Sequence, residues 1–197
     1  MVLTPLSPRK EALLIAGKRL ILSKGYTATT VDEIVAEVGI TKGAFYYFFK
    51  SKEVFVQELL EYNWSPIRRM QETLSDSNLD PLHHLHQHID FMVEFLPGDG
   101  RLLGIMSQEL SETNPQIGEQ VRGYFREWTQ YLQRIVEMAK AQYVPDADFT
   151  SQSLMEFILM TIEGVPVVFR QFGSEAVDRS VHHLKRYTNS LFLNSPG

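Results

Sequence analysis

Apolar residues in the first part of the chain recur at intervals of three and four, the period of a helix with one buried face. Leu13, Leu14, Ala16, Leu20 and Ile21 form such a series, which predicts a helix opened by Ser7 and Pro8 and closed at Gly25. Thr30 and Glu33 then make a Thr-x-x-Glu capping box ahead of Val31, Ile34, Val35 and Val38, and Gly39 ends that second helix. Thr41 is placed to cap a third helix over about residues 42–49, and Ser51 a fourth running toward Leu74. Pro66 lies inside the fourth, so a kink or break is expected near Asn63 to Ser65.

The same period continues to the end. Asp80-Pro81 starts a fifth helix that ends near Pro97-Gly98, a sixth covers about 101–110, and Asn114-Pro115 starts a seventh lasting to about Tyr143. An eighth is expected over about 150–172 with Pro166 inside it, and a ninth from Ser174 to about Leu193. No segment shows the sustained alternation of a strand. The expected fold is all-α with nine helices in two domains: a small three-helix head, residues 1–52, and a helical bundle, residues 53–197.

Composition narrows the chemistry. The chain has 197 residues and no cysteine, which excludes disulfides, thiolate metal sites and cysteine nucleophiles. Met1 to Lys10 lacks the apolar run of a signal peptide, and no unbroken apolar run approaches a membrane span, so a cytoplasmic protein without a membrane partner is expected. The formal net charge is −5, yet it is unevenly spread. Through Glu53 there are eight Lys or Arg against five acids, and beyond it 11 against 19, the pattern of a basic head that meets a polyanion and an acidic body that does not.

Residues 31–50 meet the demands of a helix-turn-helix: two short helices, a three-residue turn opening with Gly39, and buried positions at Ile34, Val38, Ile40, Phe45 and Phe48. Phe45, Phe48 and Phe49 are expected to turn inward, leaving Lys42, Gly43, Tyr46, Tyr47 and Lys50 outward. Lys42 and Gly43, at the start of the third helix, would meet base edges. Thr30, Thr41, Tyr46, Tyr47 and Lys52 would donate hydrogen bonds to phosphates, helped by the helix N-termini at Thr30 and Thr41.

The segment from Gly25 to Leu59, GYTATTVDEIVAEVGITKGAFYYFFKSKEVFVQEL, resembles the signature of the TetR family of transcriptional regulators. The resemblance implies a DNA-binding head, a divergent ligand-binding and dimerisation domain, and a homodimeric repressor released from a palindromic operator by a small-molecule inducer. It carries Lys42 and Gly43 onto bases and Thr30, Thr41, Tyr46, Tyr47 and Lys52 onto phosphates. Two positions depart from the common pattern, with Phe48 where many members have histidine and Val35 where many have alanine.

In the body, Leu154, Phe157, Ile158, Ile162 and Val165, followed by Val181, Leu184 and Leu191, form apolar stripes suited to half of a four-helix dimer interface or to the chain's own core. Trp64, Phe91, Phe95, Met106, Phe125, Trp128 and Met155 are candidates to line a ligand cavity, with Glu109 as an orienting acid. His83, His84, His86 and His88 include an i, i+4 pair but no third ligand nearby, so they are expected to be solvated surface residues with no metal and no cofactor. An enzyme or carrier using Glu109, Glu163 or these histidines is the competing class. It lacks any nucleophile, base and orienter set, and any phosphate-cradling glycine loop.

Overall fold

The computed structural model describes residues 6–75, 78–110 and 112–193, so the first half of the Met1–Lys10 segment lies outside the described residues. It is all-α: α1 (Pro8–Lys24), α2 (Val31–Val38), α3 (Lys42–Phe48), α4 (Lys52–Ser75), α5 (Pro81–Phe95), a π turn (Leu96–Gly100), α6 (Arg101–Leu110), α7 (Pro115–Tyr143), α8 (Ser151–Glu163), α9 (Val165–Phe172) and α10 (Ser174–Leu193). The caps fall where the side chains promised. Thr30 and Glu33 form the reciprocal capping box, Thr41 accepts from the Ala44 amide, and Asp80 accepts from the Leu82 and His83 amides.

The two internal prolines behave differently. Pro66 does not end α4, because the Ser65 hydroxyl donates at 2.9 Å to the Tyr62 carbonyl, the acceptor that Pro66 has no N–H to satisfy. Around Pro166 the expected eighth helix divides at Gly164 into α8 and α9. Gly164 stays in right-handed helical conformation (φ −71, ψ −19), so the backbone carries on in the same sense.

The chain forms two compact units, Met1–Pro66 with Arg101–Gly123, and Ile67–Gly100 with Tyr124–Gly197. They do not divide after residue 52 as the helix pattern suggested, because α6 packs on α1 and Gln120 donates to the Gln57 carbonyl at 2.9 Å. In the first unit, Leu13, Leu14, Ile21, Ile34 and Leu59 are buried around an aromatic group whose rings, Phe45, Phe49 and Phe55, lie 5.1 to 5.4 Å apart. Each aliphatic side chain so buried contributes roughly 1.5–3 kcal/mol, and the ring pairs about 0.5–1.5 kcal/mol more.

The second unit packs α5 against α8 and α10, with Leu85, Ile89, Met92, Ile158, Ile162 and Leu184 in its core. Leu154, Ile158, Ile162, Val165 and Leu184, expected on a stripe that could face another chain, are buried within this unit. Val181 and Leu191 are half-buried. Phe157, from the same expected stripe, is exposed, as are the apolar side chains of Met160, Val167, Phe169, Phe172 and Tyr187. Helical spacing defines two such faces on a helix this apolar and does not say which meets the chain's own core.

Two further expectations are corrected here. Ser151–Phe172 has a mean hydropathy of 1.4 over its best window and is, by length and composition, apolar enough to cross a membrane. Counting unbroken apolar runs overlooked it, because Thr161, Glu163 and Gly164 interrupt the run without offsetting its mean hydropathy. The histidines of α5 are not all solvated: His88 is fully buried, His84 is 5% exposed and His86 half-buried, leaving His83 at the surface. Among the described residues no group of three or more His, Asp or Glu is placed to hold a metal ion.

Candidate nucleic-acid interface

The turn between α2 and α3 depends on Gly39, which adopts left-handed geometry (φ 72, ψ 35) at no Cβ penalty and donates to the Ala36 and Val35 carbonyls. Ile40 donates to Val35 O at 3.0 Å, so the chain reverses tightly into Thr41. Phe45 and Phe49 are fully buried and anchor α3, while Phe48 is only half-buried. With that face held down, Lys42, Gly43, Tyr46, Tyr47 and Lys50 are exposed, Tyr47 by 84%. The result is a short helix, rigidly seated, presenting a lysine and two phenols to water.

The polar groups around it are already engaged. Lys42 Nζ lies 3.0 Å from Asp32 Oδ2, and that hydrogen-bonded pair raises the ammonium's pKa. The pair is exposed and screened by water, so a phosphate can displace Asp32 at little cost. The Thr30 hydroxyl accepts from the Glu33 amide and donates to its carboxylate at 2.9 Å. The Lys24 ammonium, then the Thr30 amide and hydroxyl, bring the Glu33 carboxyl down to about 2. Thr41 is exposed, its oxygen occupied by the Ala44 amide.

Lys52 is differently placed from the other expected phosphate donors. Its Nζ donates to the Tyr26 carbonyl at 2.7 Å and sits 3.8 Å from the centre of the Tyr26 ring, and burial pulls its pKa down. Burial pushes the Tyr26 phenol the other way, to about 12, with the Glu53 charge adding to the rise. The same loop takes up Glu109 from α6, whose carboxylate accepts from the Tyr26 amide (3.2 Å), the Thr27 amide (2.8 Å) and the Thr27 hydroxyl (2.8 Å). Burial pushes the Glu109 pKa up, but these bonds and the Lys52 charge outweigh it and leave the carboxyl below its ordinary value. At Gly25, with φ +88, a Cβ would come within 2.4 Å of Glu109 Oε1, so only glycine admits this carboxylate.

This clasp on the loop before α2 was not visible in the sequence. Glu109 stands 82 residues from Thr27, and the only local signal was a charge on a helix whose Leu102, Leu103, Met106 and Leu110 are buried.

Of the expected ligand residues, Trp64, Met106 and Glu109 belong to the first unit, and Phe91, Phe95, Phe125, Trp128 and Met155 to the second. Trp64, Met106, Trp128 and Met155 are buried. Phe91 stacks on Phe95 at 6.2 Å, and Phe125 lies 6.3 Å from Trp128. An open groove of about 760 Å³ on the second unit is lined instead by Asp90, Glu94, Phe169, Val177, Asp178 and Lys185 among others, with none of the eight expected residues on it.

Residues 13–59 match the family model for bacterial regulatory proteins of the tetR family. The HTH-type transcriptional repressor DhaR of Mycobacterium sp. (strain GP1) is 27% identical over 159 residues, 80% of each chain. Among solved structures, the regulatory protein TetR from Rhodobacter sphaeroides superposes with a TM-score of 0.75 at 24% identity, over 95% of this chain and 100% of that one. The transcriptional regulator FadR from Bacillus subtilis, solved in complex with stearoyl-CoA, gives 0.70 at 21% identity, over 89% of this chain and 96% of that one.

Proposed function

This chain belongs to the TetR family of DNA-binding transcriptional regulators, and from that premise we propose that it is a repressor released from a palindromic operator by a small-molecule inducer. As a member of that family it is a regulator and not an enzyme. The observation that carries the reading is α3: a helix anchored by Phe45 and Phe49 that turns Lys42, Tyr46 and Tyr47 to solvent immediately after a glycine turn. Lys42 and Gly43 read base edges in the major groove, and Thr30, Thr41, Tyr46 and Tyr47 fix the helix to phosphates. Lys52, with Glu109, serves by holding the loop that aims α2.

Regulators of this family bind DNA as dimers. The face formed by Phe157, Met160, Val167, Phe169, Phe172 and Tyr187 is what a second copy covers, which accounts for a stretch apolar enough for lipid in a protein that works on DNA in the cytoplasm. The inducer binds in the second unit, among Phe91, Phe95, Phe125, Trp128 and Met155, and changes the separation of the two heads. Operator half-sites lie about 34 Å apart or a multiple of it, so a small shift lowers affinity.

Duplexes selected from a random pool by the purified protein test this. They should contain inverted repeats, and log affinity should fall steeply with log salt. Lys42→Ala should weaken binding about tenfold, the loss of one hydrogen bond to a charged partner, with melting temperature unchanged. Selection of no sequence, or equal affinity of Lys42→Ala and wild type, overturns the reading.

A further inference from the structure

The core of the second unit holds a chain of polar rings that the DNA-binding role does not use. Trp128 Nε1 on α7 donates to His88 Nε2 on α5 at 2.9 Å. The Tyr131 hydroxyl, one turn along α7, lies 2.7 Å from His84 Nε2 and 3.2 Å from the Gln71 carbonyl on α4. The His88 ring centre is 5.2 Å from that of Tyr131 and 6.5 Å from that of Trp128. Three helices thus converge on one buried cluster inside a single unit.

The chemistry of the Trp128–His88 bond decides the protonation of the ring. An indole N–H only donates, so Nε2 must present its lone pair, and the proton of the neutral imidazole must sit on Nδ1. His88 is fully buried, and its Nδ1 has no hydrogen-bond partner in the structure; the Gln71 side-chain amide nitrogen, in a residue 7% exposed, has none either. Both are donors. A buried donor without an acceptor is costly, and a helical bundle of ordinary apolar packing has no reason to keep one.

We propose that His88 Nδ1–H, in the cluster that the Gln71 backbone carbonyl also joins, is the recognition point for the inducer, and that the inducer is an uncharged, flat molecule offering a hydrogen-bond acceptor such as a carbonyl oxygen. The acceptor receives a hydrogen bond from His88 Nδ1–H, and the faces of Trp128 and Tyr131 hold the ring or conjugated system that bears it. A cationic group would meet two donors and the positive charge of Arg134, whose guanidinium lies 6.0 Å over the Tyr131 ring. A carboxylate would have to lose its hydration in a buried site, and the nearby cation, the Arg134 guanidinium, belongs to an exposed side chain. The inference rests on the ligand-responsive reading above and gives that ligand a chemical class.

The test uses full-length protein without DNA, so that its failure is separate from failure of operator binding. Nitrogen-15 imidazole spectra should show His88 locked as the Nδ1–H tautomer, and Trp128→Phe should release that lock. Acetophenone should then shift the His88 Nδ1–H and Trp128 indole signals saturably. Ethylbenzene, of the same shape without the acceptor, and benzoate, with a charge, should bind at least tenfold more weakly, and His88→Phe should remove the preference for acetophenone. An Nε2–H tautomer, equal responses to acetophenone and ethylbenzene, no response to acetophenone, or an ordered water on Nδ1 that acetophenone does not displace would each overturn the proposal. If these arms fail while salt-dependent operator binding persists, the DNA-binding reading stands without this site.

Discussion

Helices α3 and α5 each carry a dense cluster of polar and aromatic side chains, Lys42, Tyr46 and Tyr47 on one and His84 and His88 on the other, exposed in the first case and buried in the second. On α3 the phenylalanines are buried and the phenols and lysine face water. On α5 the imidazoles of His84 and His88 are buried alongside Leu85, Ile89 and Met92. The difference lies in what neighbouring helices offer. Phe55 of α4 gives α3 an apolar wall, whereas Trp128 and Tyr131 of α7 give α5 hydrogen-bonding partners that make buried histidine tolerable.

The sharpest way to break the comparison is to truncate one aromatic from each cluster. Trp128→Ala should destabilise the protein by about 3–5 kcal/mol, because it opens a large cavity and leaves His88 Nε2 without its donor. Tyr47→Ala, at an 84% exposed position, should change stability by no more than about 0.5 kcal/mol yet weaken operator binding roughly tenfold. Denaturant melts and fluorescence anisotropy read the two effects. A stability loss at Tyr47 as large as at Trp128 would show that α3 is core and not a reading surface.

What could be read from the sequence follows the same division. The caps at Thr30, Thr41 and Asp80, the turn at Gly39 and the outward face of α3 were legible because each is a local pattern within a few residues. The burial of His84 and His88, the Glu109 clasp on Thr27 and the inward turn of Leu154, Ile158 and Leu184 were not. Each depends on a partner tens of residues away, and helical period alone leaves open whether a face meets solvent, the chain's own core or another chain. Pro66 fails to break α4 for a smaller reason: its missing N–H leaves a single carbonyl, which the adjacent serine satisfies.

Acid should separate the two clusters next. Burial, and secondarily the nearby His84, brings the His88 pKa down from 6.5 to about 3 in the folded chain. The unfolded chain therefore binds a proton at His88 near pH 6.5 that the folded chain refuses until about pH 3. Stability from this group is complete above pH 6.5 and is lost as pH falls through that interval, by roughly 1.4 kcal/mol per pH unit at most. Unfolding free energies of wild type and His88→Phe, measured from pH 7 to pH 4, should converge as the solution is acidified. Parallel curves would mean that His88 is protonated, or solvated, in the folded state.

The smallest expected effect concerns a polar device of the first unit that, like those of the second, joins residues far apart in the chain. Glu109 places two oxygens among three donors of the α1–α2 loop, one on the Tyr26 amide and the other shared by the Thr27 amide and hydroxyl. In Glu109→Gln one of those oxygens becomes an NH2 group, so at least one backbone N–H faces another donor instead of an acceptor. The loss is about 1–2 kcal/mol of stability, less than for Trp128, because the site lies near water that can take over the orphaned amide. Since Thr30 and the start of α2 follow this loop directly, operator affinity should fall about threefold as well, roughly 0.6 kcal/mol, through a helix less firmly aimed. Glu109→Gln that loses stability with no change in operator affinity would confine the clasp to holding α6 against the loop, and would remove it from the positioning of the reading helix.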